Sequence, residues 1–286
     1  MLKKIVMTAA VGAAFAMAAP AQALTINYTG GVVFTIAGVS SSAIYNNSFS
    51  SAAGGNAAQV GSVAGAVAGE DAWGMVKVTG IYKDAGGGAL GDQLWNAGTN
   101  GEYLVGTYGG LVDTSGNVGS LFGQTVQQTF STGGSLSLWL VNSLSAYNAA
   151  LSAGASAASR ASVQQLGQAW VTASFAGGVS SDPAHAAEDY QSMLNRTVGS
   201  LSAGGYLDVN GGIAENLFAD GSLVDLSGDP RDGQGLTVNP GGSIPGWTSP
   251  FSGTIRTSSV PEPTSMALAG LGLLGLAGLR RRKLPV

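Results

Sequence analysis

Carboxylates are the groups in this sequence best suited to chemistry, and their spacing decides which chemistry to look for. The chain has no cysteine, which removes thiol nucleophiles, thiolate metal ligands and disulfides together. Cleaving a glycoside needs two carboxyl groups facing each other across about 5–10 Å. Glu70 and Asp71 are adjacent, and neighbours on a strand point to opposite faces. Glu102 and Asp113 lie on separate predicted segments that could meet, although nothing in the spacing specifies it. The one histidine, His185, is followed by Glu188 and Asp189 at i+3 and i+4, on one face of a predicted helix. A metal would want more ligands of matching type, so a solvated helix face is the expectation. His185 would also have to serve any Ser-His-Asp constellation, and no G-x-S-x-G elbow is present. The loop DLSGDPRDGQG gathers Asp225, Asp229 and Asp232, oxygen ligands of the kind calcium favours. Its spacing departs from an EF-hand and Arg231 sits among the acids, which favours a surface turn.

Trp73, Trp95, Trp139, Trp170 and Trp247 raise the separate idea of a glycan-stacking platform. Trp139 and Trp170 lie inside apolar strands and read as core. Trp95 and Trp247 lie in turn-like stretches and are the better platform candidates. An ice-binding face would show regular threonine rows, and no T-x-T array occurs. No catalytic residue, metal ligand or cofactor is expected.

The elements that must position these residues are mostly strands. LTINYT places Leu24, Ile26 and Tyr28 on one face, and GVVFTIAGV reads as a more fully buried strand. Residues 40–69 are small, polar or uncharged and read as a long loop. WGMVKVTGIYK, EYLVGTYGGLVD, SLFGQTVQQTF, SLSLWLVN and AWVTASFAGG continue the β pattern. From Ser143 the chain turns alanine-rich, which predicts a helix interrupted near Gly154. A second helix is predicted from Asp182 as N-cap and Pro183 at the first helical position. Short strands at GYLDV, GSLVDL and GTIRTSS follow. The expected fold is mainly β: an antiparallel, jelly-roll-like β-sandwich with one or two helical insertions.

Composition narrows the partners. Between Leu24 and Pro263 there are sixteen acidic and six basic residues, a net charge of −10. So anionic a segment has no basic stripe to follow phosphates, and nucleic acid is excluded as an expected partner. Glycine is abundant at 46 of 286, but the high apolar fraction and 10% charge oppose disorder. Gly-rich turns between strands are the expected reason.

The two ends differ from the rest. Residues 1–23 run from Lys3 and Lys4 through an apolar stretch to Ala21-Gln22-Ala23, the order of a secretory signal peptide. Cleavage by signal peptidase is expected after Ala23, using the small residues Ala21 and Ala23, so that residues 24–259 form the exported domain. At the other end Val260, Pro261, Glu262 and Pro263 precede sixteen uncharged residues, 264–279. Arg280, Arg281, Arg282 and Lys283 follow at once. As a helix, that apolar run would cover about 24 Å, just short of the roughly 30 Å of bilayer hydrocarbon. The basic tail 280–283 should stop transfer and stay cytoplasmic, leaving the domain outside. A signal helix and a transmembrane helix are thus expected to flank the sandwich.

Residues 260–286 resemble the PEP-CTERM sorting signal of Gram-negative, exopolysaccharide-producing bacteria, a segment also catalogued as the ice-binding protein C-terminal domain. The likeness rests on Val260-Pro261-Glu262-Pro263, the short span and the arginine cluster in register. It implies processing by an exosortase-type membrane enzyme at the Pro-Glu-Pro region. It also implies a transient hold in the inner membrane and a final place at the cell surface or outside. EDAWGMVKVTGIY and the block after it resemble stretches in other PEP-CTERM passengers, which implies a shared extracellular β domain. The functional expectation is a non-enzymatic exported protein associated with the exopolysaccharide matrix or biofilm. A carbohydrate- or ice-binding module is the alternative, and a secreted polysaccharide-acting enzyme is the third reading.

Overall fold

The structure is a computed structural model that describes residues 24, 26, 28, 30–42, 63–121, 123–195, 200–218, 221, 223–239 and 244–259. Segments 1–23 and 260–286, with the predicted signal helix and the transmembrane helix 264–279, lie outside the described residues. Among the described residues no helix is long and apolar enough to cross a membrane.

The strands in chain order are β1 (Gly31–Ser42), β2 (Ala72–Asp84), β3 (Leu90–Asn96), β4 (Tyr103–Leu121), β5 (Gln124–Val141) and β6 (Ala169–Ala176). They continue with β7 (Tyr190–Asn195), β8 (Ser200–Gly211), β9 (Leu223–Val224), β10 (Pro230–Arg231), β11 (Gly233–Asn239) and β12 (Ser249–Ser259). Hydrogen bonding runs β1-β12-β11-β8-β6-β5-β4-β2, and β2 pairs back onto β1. Every pairing is antiparallel, so eight strands close into a barrel. The expected β-sandwich is therefore overturned: one sheet wraps onto itself instead of two sheets stacking. Alternating apolar residues bury one face in either architecture and could not distinguish them.

Glycines inside the strands carry the difference. Gly38, Gly74, Gly106 and Gly253 occupy lumen-facing positions on β1, β2, β4 and β12. A Cβ at each would stand 2.2, 2.2, 2.0 and 2.2 Å from the carbonyl oxygens of Met75, Val39, Ser137 and Leu236. Only a residue without Cβ lets the neighbouring backbone come this close, which is how a sheet coils tightly enough to close. The space also receives aromatic rings. Phe251 lies over Gly38 and Tyr108 over Gly74, and the two rings meet edge to face at 5.7 Å.

Three apolar cores result. The lumen holds Phe34, Ile36, Val76, Leu104, Leu136, Leu138, Trp170, Leu207 and Ile255. One end is closed by α3 (Glu215–Phe218), whose Phe218 meets Phe34 and Trp170 at 5.6 and 5.5 Å. Leu24 and Ile26 join this core, as their alternation predicted, though not as a regular strand. Outside the wall, Val39, Trp73, Met75, Val105 and Trp139 form a second core beneath two helices. These are α1 (Ser145–Ala153) and α2 (Ala157–Gln164). They break at Gly154 as expected, where φ is +79°, and Ser156 caps the second by accepting from the Ser159 amide at 3.0 Å. Phe130, Val179 and Tyr206 make a third, smaller cluster.

Residues 182–195 depart from the helix predicted there. Asp182 does cap, accepting from the Ala184 amide at 3.0 Å, but only a 3-10 turn, Pro183–His185, follows. Tertiary pairing then takes over. β7 continues the line of β6, both lying between β5 and β8. Residues 177–189 are thus an excursion out of one long wall strand.

Gly38→Ala should lower stability by about 3 kcal/mol or more, because carbonyl and ring must both move. Gly235→Ala, whose Cβ meets nothing nearer than 3.9 Å, should change it by under about 1 kcal/mol. Urea unfolding of both variants checks the contrast, and equal losses would contradict it.

Candidate functional site

The strand geometry separates some of the predicted carboxylates and joins others. Glu102 directly precedes β4 while Asp113 lies well along it, so eleven residues of extended chain, roughly 35 Å, keep them apart. Asp71 and Asp113 come together instead. The Asp71 carboxylate accepts from the Asp113 amide at 2.7 Å, and the Asp113 carboxylate accepts from the Ser131 hydroxyl at 2.8 Å. Neighbouring Glu70 is buried and accepts from the Val67 and Gly110 amides and from Arg160 on α2. Arg160 also lies over the Trp73 ring at 5.4 Å. Glu70 therefore straps the helical pair to the barrel wall. Both its oxygens are engaged in that strap.

Electrostatics mark Asp113. Burial pushes its carboxyl up to about 6, the Ser131 hydrogen bond holds it back in part, and the charge of Asp71 adds to the rise. Burial likewise raises Asp71, opposed by the Asp113 amide.

His185 leaves the helix face expected for it. Its ring stacks on Phe130 at 3.9 Å with 6° between planes, and its Nδ1 lies 3.3 Å from the Ser115 hydroxyl. Asp189 turns instead to the Gly133 amide, accepting at 2.6 Å, while its own amide donates to the Ser131 carbonyl at 3.0 Å. These contacts clamp the 177–189 excursion onto the β4–β5 hairpin. The Ser115–His185 pair was not foreseen, and 70 residues of separation explain why. The Asp189 carboxylate is turned to the Gly133 amide and not to the His185 ring.

The acidic loop is closed by its own arginine. Asp225 accepts from the Ser227 and Asp229 amides at 2.8 and 3.0 Å and from Arg231 Nε at 3.0 Å. Arg231 further reaches Asp208 at 3.3 Å and the Gly177 carbonyl at 3.3 Å. Asp232 accepts from the Val209 and Gly221 amides at 2.8 and 2.6 Å. The Asp225 carboxylate is thus engaged by two amides and a guanidinium. Among the described residues no group of three His, Asp or Glu could hold a metal.

The glycan platform proposed on Trp95 and Trp247 is overturned, since their exposures are 5% and 7%. Trp247 packs on Trp73 at 5.2 Å and donates to the Leu151 carbonyl at 2.9 Å, filling the core under α1. Trp139 and Trp170 are buried, as expected.

What the barrel offers beyond its frame is space in the lumen. A layer of Leu136, Leu207 and Ile255 separates two cavities of about 80 and 30 Å³. The smaller abuts Phe34 and Phe218. The larger, toward the other end, is lined by Tyr108, Phe175, Tyr190, Phe251 and Ala203, with Ser40, Thr237 and Ser249 adding aliphatic hydroxyls. Among the described residues no charged side chain lines it.

The raised pKa of Asp113 fixes a pH response. The unfolded carboxyl titrates near 4, so between there and about 6 the folded chain holds a proton the unfolded chain has released. Stability is therefore full below pH ~4 and falls as pH rises through this window, by on the order of 2 kcal/mol. Asp113→Asn should flatten most of that slope and gain the same amount at pH 7. Denaturation curves taken across pH 4–7 check it, and an unchanged slope would refute it.

No curated protein and no solved structure matches the chain. Residues 259–283, beginning at the last residue of β12, match the PEP-CTERM protein-sorting motif. The chain thus carries the signal of an exported protein that an exosortase-type membrane enzyme sorts from its carboxyl end.

Proposed function

We propose that the protein is a non-enzymatic component of the extracellular exopolysaccharide matrix, delivered as a finished barrel by carboxyl-end sorting. The observation that carries this reading is the direct junction between β12, which ends at Ser259, and the sorting motif, which starts there. The barrel's acidic side chains support a frame: Glu70 straps the helices, Asp189 clamps the excursion, and Asp225 and Asp232 knot the loop before β11. None of these carboxylates faces another across an open cleft, which favours a structural role over glycoside cleavage. A curved wall, with Trp95 and Trp247 both buried, also speaks against a flat glycan- or ice-binding face.

Glu262→Gln in the exporting host should leave the full-length chain in the membrane fraction, whereas the parent chain is shortened and leaves with the secreted polysaccharide. Mass and fractionation read both effects. A parent chain that separates cleanly from polysaccharide would end the matrix reading. Unchanged release of the variant would end the role assigned to Glu262.

A further inference from the structure

The larger lumen cavity has a chemistry of its own. Its walls are apolar and aromatic, and no charged group lines them, so an ion entering would lose its hydration without a partner. Its polar atoms are not equivalent as donors and acceptors. The Thr237 hydroxyl donates to the Ala203 carbonyl at 3.2 Å. The Ser40 hydroxyl donates to the Ser249 carbonyl at 3.3 Å. With these hydrogens directed into the wall, the Thr237 and Ser40 oxygens can only accept from a guest. Space is limited too. An apolar cavity of ~150 Å³ takes benzene, so about 80 Å³ takes roughly three or four carbons. Room is available because Gly205 and Gly235 face the lumen where most barrels of this size place side chains.

We propose that this cavity is a binding site for a short, uncharged aliphatic alcohol, its chain among Ile36, Leu136 and Ile255 and its hydroxyl donating to the rim oxygens. The site is independent of matrix association, and either reading can fail without the other. Phe175 packs edge to face on Tyr190 at 5.2 Å and holds the phenol in place. Selectivity follows from the accepting rim: an ether of equal size fills the space but has no hydrogen to give, and a carboxylate carries a charge the walls cannot meet.

The test titrates the exported, processed protein with 1-butanol, methyl propyl ether and butyrate, following methyl resonances by NMR. Saturable shifts at Ala203, Leu136 and Ile255 are expected for butanol, with affinity about tenfold weaker for the ether and no saturation for butyrate. Ala203→Leu should fill the cavity and abolish the butanol shifts, and Thr237→Val should shrink the alcohol–ether difference. Equal affinities for alcohol and ether in the parent protein would overturn the proposal even if Ala203→Leu fails to fold. So would saturable butyrate binding, or shifts that avoid the lumen.

Discussion

Closure of eight strands into a narrow barrel is the constraint on which the other features depend. A sheet this small must coil hard, and at four lumen-facing positions the neighbouring carbonyl comes where a Cβ would be. Glycine at 38, 74, 106 and 253 permits the approach, but each leaves the lumen short of a side chain. Large neighbours fill the gap: Phe251 and Tyr108 fold over two of these glycines, and Phe34, Trp170 and Phe218 pack the closed end. The filling is incomplete on the other side of the Leu136–Leu207–Ile255 layer, and the cavity is what remains. Space and curvature have the same origin.

A barrel has no free edge, so its polar contacts go into fastening what lies outside the wall. Glu70 and Arg160 hold α2, with Trp73 beneath the guanidinium. Arg231 joins Asp225 to Asp208 and to the carbonyl of Gly177, fixing the excursion at its start, and Asp189 fixes it at its end. The excursion itself exists because β6 and β7 share one slot between β5 and β8. Leaving and re-entering that slot lets the wall keep its pairing while His185 and Val179 cover Phe130. The cluster of acids in the sequence is thus a map of fastenings.

Element types were largely legible in the sequence and the architecture was not. Alternation identified the strands, and the alanine-rich helix with its break at Gly154 emerged as read. The helix expected after Asp182 failed because a cap and a proline specify only a start. The empty slot beside β5 and β8 decided what residues 190–195 became. Glycine was read as turn punctuation, although Gly38 and Gly106 sit inside apolar runs where no turn is possible. That position was the available sign of a coiled barrel. The carboxylate pairings were invisible for a different reason. Asp71 and Asp113 are 42 residues apart, and the antiparallel pairing of β2 with β4, Ala72 opposite Leu111, sets them together.

The same topology gives the chain ends their meaning. β1 and β12 are neighbours in the wall, with Gly31 opposite Ser259, so the seam joins the first strand to the last. Sealing it must overcome the loop-closure entropy of more than 200 intervening residues. β12 takes its place between β1 and β11. The sorting motif starts on the residue that completes this seam. Hold at the carboxyl end and closure of the barrel are therefore adjacent in the chain, and a cut beyond Ser259 removes no residue from the wall.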